Sequence, residues 1–274
     1  MDEKKKEIVF TYTHDVAPLS VTGKWCGLKC AHCNARYLEH MLSVDLLDDL
    51  YKKGKRTFLI SGGMDRTGRI PYSGVIEKLE EFKAQHPDVR YNFHTGFVDE
   101  KTAGKILKIA DGVSLDFVGS GYVVKEVYGL KKDVKDYLKI LQLFEGKVKL
   151  AMHLTIGLLA GKLSHEFEAL NLLSDKHFDK LVFLVFIPTR GTKFEKASPP
   201  KLEDVERVFK NAREIFPTRY LTLGCMQPTG RYRYELQKLA IDMDLDEIVN
   251  PVIDEKELLE RGYRVIKRSD CCVF

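Results

Sequence analysis

The chain has 274 residues, 44% hydrophobic and 31% charged, with a formal net charge of +4. That length buries one large core or two small ones. Apart from Lys4-Lys5-Lys6 there is no basic block, so no nucleic-acid partner is expected. No apolar run approaches the roughly 18 residues of a membrane span, and the amino end lacks the apolar segment of a secretory signal. A cytoplasmic protein with no membrane partner is the expectation. The six cysteines are grouped as for metal rather than spread as a disulfide framework, which suits a reducing compartment.

In chain order, strands are expected at 8–12, 19–22, 57–61, 91–95, 113–118, 150–158, 181–187, 220–223 and 248–249. Between them, helical patterns occupy 34–53 (in two pieces), 73–85, 99–109, 133–144, 164–174, 202–215, 232–243 and 254–260. Apolar residues recur at three- and four-residue spacing, as in Val205, Val208, Phe209 and Ala212. Gly62-Gly63, Gly96, Gly119, Pro188 and Pro228 punctuate the joints. Alternation of this kind predicts α/β architecture with parallel strands and crossover helices, a partial or near-complete TIM-like (β/α) barrel. The simplest division is 1–17 as an N-terminal strand or extension, 18–250 as the barrel, and 251–274 as a C-terminal tail carrying Cys271-Cys272.

Three cysteines, Cys26, Cys30 and Cys33, follow the 19–22 strand with the spacing C-x3-C-x2-C. They offer three thiolates on one short loop at the strand's C-terminal end, where barrels build their active sites. No fourth donor is obvious. Structural zinc takes four protein ligands, whereas an open coordination position marks chemistry. A zinc knuckle borrowing a distant ligand, or three ordinary thiols, are the competing readings.

Strand alternation separates two faces. Asn92 and His94 alternate with Tyr91, Phe93 and Thr95; Ser114 and Asp116 with Val113, Leu115 and Phe117; His153, Thr155 and Gly157 with Met152, Leu154, Ile156 and Leu158. A purely structural barrel prefers branched apolar residues inside. A polar face on three successive strands predicts a water- or ligand-filled lumen, the alternative being an open sheet with that face exposed.

The cysteine spacing resembles the signature of the radical S-adenosylmethionine (radical SAM) superfamily. The resemblance implies a radical SAM (β/α) barrel and a [4Fe–4S] cluster on Cys26, Cys30 and Cys33, its free iron chelated by the amino and carboxylate groups of S-adenosylmethionine. Ser61-Gly62-Gly63 stands where that superfamily carries a glycine pair near the methionine amino group. The glutamate that usually follows is replaced here by Met64-Asp65. By the same resemblance Ser114 and Asp116 would meet the ribose, Gly157 would pass the adenine, and His32 would take a position near the adenine that is usually aromatic.

The strings Val127-Tyr128-Gly129-Leu130, Thr155-Ile156-Gly157-Leu158, Ile187-Pro188-Thr189-Arg190-Gly191-Thr192 and Leu223-Gly224-Cys225-Met226-Gln227-Pro228 resemble the biotin-synthase-related branch. Within it the chain is most similar to subunits of the split, two-protein lipoyl synthase. That resemblance implies sulfur insertion into an octanoyl chain presented by a carrier protein, a second radical SAM subunit, and a ferredoxin- or flavodoxin-type electron donor. A small-molecule substrate and another reaction of the branch, a rearrangement or methyl construction, stay open. So does a non-enzymatic zinc or electron-transfer protein.

A sulfur-inserting enzyme needs a sulfur source. Cys225, Cys271 and Cys272 are therefore expected to hold an auxiliary iron–sulfur cluster, with the tail folded over the barrel mouth and Ser269 as a weaker candidate for an oxygen ligand. Arg231 and Arg233, near the expected mouth, are candidates to hold a substrate carboxylate or an acidic carrier.

Overall fold

The computed structural model describes residues 6–274. Lys4, Lys5 and the start of the expected 1–17 segment lie outside the described residues. Among the described residues the strands form a single 11-stranded sheet, and every pairing in it is parallel. In chain order the strands are β1 (Lys6–Tyr12), β2 (Val16–Ser20), β3 (Leu42–Ser43), β4 (Thr57–Ser61), β5 (Arg90–His94), β6 (Gly112–Asp116), β7 (Lys149–Ile156), β8 (Lys180–Val185), β9 (Tyr220–Leu223), β10 (Glu247–Val249) and β11 (Tyr263–Ser269). Their spatial order is β11-β1-β10-β9-β8-β7-β6-β5-β4-β2-β3. β1 and β2 are not paired, although only residues 13–15 separate them. The chain steps directly from one side of the sheet to the other, so the sheet curls into a partial barrel.

The crossover helices are α1 (Leu47–Lys52), α2 (Val75–Gln85), α3 (Glu100–Ile109), α4 (Gly121–Tyr128), α5 (Val134–Phe144), α6 (Glu166–Leu173), α7 (Leu202–Ile215), α8 (Arg231–Asp242) and α9 (Glu255–Glu260). Their starts follow local chemistry. Asp99 caps α3 by accepting from the Thr102 N–H at 2.8 Å, and Asp133 with Asp136 forms a reciprocal capping box on α5. α7 buries Val205, Val208, Phe209 and Ala212, the stripe its periodicity predicts. Outward-facing strand residues such as Phe58, Tyr91, Phe93, Leu154 and Phe183 fill the main core between sheet and helices.

Three elements depart from expectation. α4 lies where a loop was expected, closed at its end by Gly129 at φ +69°. The segment 34–53 holds short 3-10 turns, the strand β3 and α1, because Asn34 and Ala35 sit at φ 45° and 64°, outside the right-handed helical region. Part of the expected 251–274 tail is the edge strand β11, paired with β1 over its whole length.

After β11 the chain turns inward. Val273 packs with Ala151, Val182 and Val249 in a second, smaller apolar cluster. Gly112, the first residue of β6, leaves no room for a side chain because Val273 Cγ1 lies 2.8 Å from where its Cβ would be. The Phe274 carbonyl accepts from Lys180 at 2.8 Å and Arg268 at 3.0 Å. Beside them Glu247, fully buried, accepts from Thr222 at 3.0 Å, Lys180 at 3.1 Å, and from Thr11 and Arg268. Gly112, Lys180 and Glu247 begin β6, β8 and β10, whereas Thr11, Thr222 and Arg268 lie in the C-terminal halves of β1, β9 and β11. The tail therefore runs inside the lumen, with Val273 and Phe274 at the starts of β6 and β8 toward its floor, rather than lying over the mouth as expected. The physical reason is a matched set of small residues and buried charges that seats the tail at the floor.

Candidate active site

The loop that follows β2 carries the three cysteines across the C-terminal end of the sheet. It rests on the turn after β4. The Gly27 N–H donates to the Met64 carbonyl at 2.7 Å, and the Gly63 N–H to Thr22 Oγ1 at 2.7 Å, while Thr22 in turn donates to the Trp25 carbonyl at 2.9 Å. A Cβ on Gly63 would lie 1.8 Å from the Trp25 carbonyl oxygen, and one on Gly62 would lie 3.0 Å from Val21. The glycine pair is thus explained by the close approach of the cysteine loop itself. From the other side, the Ala31 N–H donates to the Val127 carbonyl at 2.7 Å and the Phe194 N–H to the Ala31 carbonyl at 3.1 Å. Asn34 reaches the Gly191 carbonyl at 3.0 Å. Two of the sequence strings singled out above therefore buttress the loop.

Cys30 is buried; Cys26 and Cys33 are partly exposed. The Cys30 thiol hydrogen-bonds Cys33 and is pushed up by that partner and by burial, whereas the same bond, aided by His32, holds the Cys33 thiol down at about 4 against the cost of burial. Cys26 lies 3.7 Å from the Met64 carbonyl. Cys30 and Cys33 are in hydrogen-bond contact, and His32 stands beside Cys33. The donors fit a group that takes three thiolates and keeps one position open. The His32 ring meets Tyr128 edge-on with centroids 5.4 Å apart, and its buried Nδ1 has no partner.

Below the loop lies a small cavity whose lining includes Met64, Gly96, Asp116, Tyr128 and Tyr137. The polar face of β5, β6 and β7 meets in the lumen as expected. Ser114 donates to Asn92 at 3.1 Å, His94 Nε2 stands 3.3 Å from Asp116 Oδ1, and His153 Nδ1 stands 3.9 Å from the same oxygen. Burial acts to raise the Asp116 carboxyl, but the facing imidazoles outweigh it and hold it at about 2. Burial and the neighbouring His94 push His153 down to about 4, while Asp116 overcomes burial to raise His94.

The remaining sequence-predicted residues are distributed as follows. Ser61 spends its hydroxyl on the His94 carbonyl at 3.0 Å. Ser114 is fully buried against Asn92. The Cβ direction of Gly157, at φ +75°, faces the Pro200 ring rather than open space. Arg231 is 92% exposed and pairs only with Glu235 at 3.7 Å, so it does not join the site. Arg233 donates to the Asn250 carbonyl at 2.8 Å and stands near Cys225. Ser269 is exposed at the sheet edge and donates to the Tyr12 carbonyl at 3.2 Å; the outer edge of β11 keeps it from acting as a lumen ligand.

Cys225, on the loop after β9, is exposed, and desolvation by the surrounding protein together with the neighbouring Cys271 pushes its thiol up to about 11. Cys271 accepts from Asn92 Nδ2 at 3.0 Å; its bond with Cys272 is the main cause that brings it down to about 7. Cys272 lies 3.7 Å from His153 Nε2. Sequence reasoning placed His94 and His153 on a polar face without assigning them, and passed over Glu247, Lys180 and Arg268; the alternating strand patterns were the signal for the first two. A larger surface groove between 160–168 and 197–207 is lined by no cysteine. Its Glu166 is committed to the backbone N–H groups of Gly157, Ser164 and His165.

No family model and no curated protein sequence matches the chain. Solved structures do. The FeFe-hydrogenase maturase HydG from Carboxydothermus hydrogenoformans is 16% identical, with a TM-score of 0.62 over 94% of this chain and 67% of that one. Methylornithine synthase (PylB) is 12% identical, with a TM-score of 0.64 over 95% of this chain and 84% of that one. Streptococcus suis SuiB bound to S-adenosylmethionine is 14% identical, with a TM-score of 0.53 over 97% of this chain; the chain spans only 59% of SuiB. At such identities the likeness is one of fold, a parallel partial (β/α) barrel. No helix among the described residues is long and apolar enough to cross a membrane.

Proposed function

We propose that this chain is a radical SAM enzyme. The observation that carries the reading is the three-thiol loop seated on the Gly62-Gly63 turn at the C-terminal end of a parallel partial barrel. Cys26, Cys30 and Cys33 would hold the [4Fe–4S] cluster. When bound, the cluster and S-adenosylmethionine supply one-electron cleavage of the sulfonium and a 5′-deoxyadenosyl radical. The protein contributes position and exclusion of water. Asp116 offers a carboxylate to the ribose hydroxyls, and His32 with Tyr128 offers aromatic surface to the adenine. Phe97, Leu115 and Tyr137 keep the cavity beneath largely apolar, which protects a carbon-centred radical.

At a finer level we assign the reaction to sulfur insertion into an octanoyl chain, as in lipoyl-cofactor synthesis. An auxiliary iron–sulfur cluster on Cys225, Cys271 and Cys272 would be the sulfur source. Supporting this, the second group of thiols repeats the arrangement of the first: two hydrogen-bonded cysteines and a third close enough to perturb them. A carrier-borne acyl chain, a partner subunit and a small redox protein as donor complete the proposal.

Anaerobic reconstitution with iron and sulfide, followed by strong reduction with S-adenosylmethionine, tests it. The expected result is methionine and 5′-deoxyadenosine, abolished by alanine at Cys26, Cys30 or Cys33, and a thiolated acyl product only with octanoyl-carrier protein present. Intact S-adenosylmethionine beside a fully zinc-loaded protein overturns the enzyme reading. 5′-Deoxyadenosine without a sulfur product overturns only the finer one.

A further inference from the structure

We infer that the lumen holds a further metal site, separate from both cysteine groups, a divalent-cation centre formed by His94, Asp116 and His153. Among the described residues these are the one group of three or more His, Cys, Asp or Glu whose donor atoms all lie within 4.8 Å of one another. Each comes from a different strand, and the sheet register sets them together. Asp116 of β6 is directly paired with His153 of β7, and His94 of β5 is paired with Ser114, the next residue below Asp116 on that face. Two donors therefore share a level and the third reaches up to it, with His94 Nε2 and His153 Nδ1 both directed at Asp116 Oδ1.

A second observation points to an ion rather than a simple ion pair. The His153 side chain is 9% exposed, and its Nδ1 is buried with no hydrogen-bond partner, at 3.9 Å too far to bond Asp116 directly. A buried imidazole nitrogen aimed at an anion without reaching it is costly unless something lies between them. A cation bound by both satisfies it. The other ring nitrogen, Nε2, stands 3.7 Å from Cys272 Sγ, the kind of outer contact that fixes the tautomer and orientation of a metal-bound histidine. The tail that closes the floor thus also orients this histidine from beneath.

Two imidazoles and one carboxylate suit zinc or ferrous iron and leave coordination positions open toward the lumen. The centre would take an oxygen donor, water or a substrate carboxylate or carbonyl. None of its donors belongs to the cysteine loop; Asp116 is shared with the ribose contact proposed above, so the centre rests on the lumen geometry alone and is read in the absence of S-adenosylmethionine.

Zinc is the probe. The iron-reconstituted protein is equilibrated with Zn²⁺ and passed through a desalting column, and zinc and iron are counted together for wild type, His153→Ala, His94→Gln and Cys271→Ser/Cys272→Ser. The expected result is one zinc per chain in wild type, bound at least tenfold more weakly in both histidine variants and still bound in the cysteine double variant. Zinc X-ray absorption on the wild type provides a reading independent of variant folding, with a nitrogen and oxygen shell and imidazole scattering expected. The inference is overturned by absent zinc, by zinc indifferent to both histidine changes, or by sulfur in the shell.

Discussion

The molecule has two groups of cysteines, and they owe their positions to different things. Cys26, Cys30 and Cys33 occupy one loop, which is held to its own strand by the Thr22 hydroxyl on the Trp25 carbonyl, to the glycine turn after β4, and to backbone at Val127 and Gly191. Cys271 and Cys272 are adjacent in sequence but owe their place to residues far along the chain, Asn92 and His153, separated from them by 179 and 119 positions. The upper group is a feature of a loop. The lower group is a feature of the assembled partial barrel, and it exists only once β5, β7, β8 and β11 have come together.

That contrast breaks most sharply at Gly63. Gly63→Ala forces a methyl group against the Trp25 carbonyl, and backbone rather than a flexible side chain must move. The expected cost is at the upper end of about 1–3 kcal/mol for overpacking. Iron binding at the upper loop should be lost while the lower thiols remain buried, a result read by iron counting and by thiol labelling. Retained iron with unchanged stability would show that the loop does not lean on the turn.

Removing Cys271–Phe274 tests the other half. Val273 is 1% exposed, and its burial alone is worth about 1.5–3 kcal/mol. Denaturant unfolding should show a loss of about that size, and the upper loop should still hold its iron. Loss of iron at both places would mean the two groups are one cooperative unit.

The smallest effect concerns acid stability away from both groups. His165 accepts the Gly119 N–H at Nδ1 (3.3 Å) and faces the Thr155 carbonyl with Nε2 (3.2 Å), so its neutral form is the one that fits. Burial lowers its pKa, only partly offset by Glu166. The unfolded chain binds a proton here near pH 6.5 while the folded chain does not, so stability present above that pH is lost as pH falls below it. The slope from this residue is at most about 1.4 kcal/mol per pH unit. His165→Gln should flatten the decline in unfolding free energy between pH 7 and 5; an unchanged slope would rule the residue out.

The same contrast explains what could be read from residues alone. Cys26, Cys30 and Cys33, the α7 stripe and the polar face of β5–β7 are written in short-range spacing, and each is found where its pattern predicts. The adjacency of Asp116 and His153 is written only in the register between two strands. β11 was hidden because an edge strand carrying Arg264, Lys267 and Arg268 lacks an apolar alternation. α4, eight residues between Ser120 and Gly129, was obscured by glycines at 119 and 121. The floor position of the tail rests on Gly112, Lys180 and Glu247 acting together, and no local pattern joins them.

A lumen stoppered beneath by Val273 and Phe274 is a blind well. Whatever reaches its depth enters and leaves by the rim that carries the cysteine loop. The side chains that seat the stopper, Lys180, Glu247 and Arg268, therefore also fix how deep the lumen is.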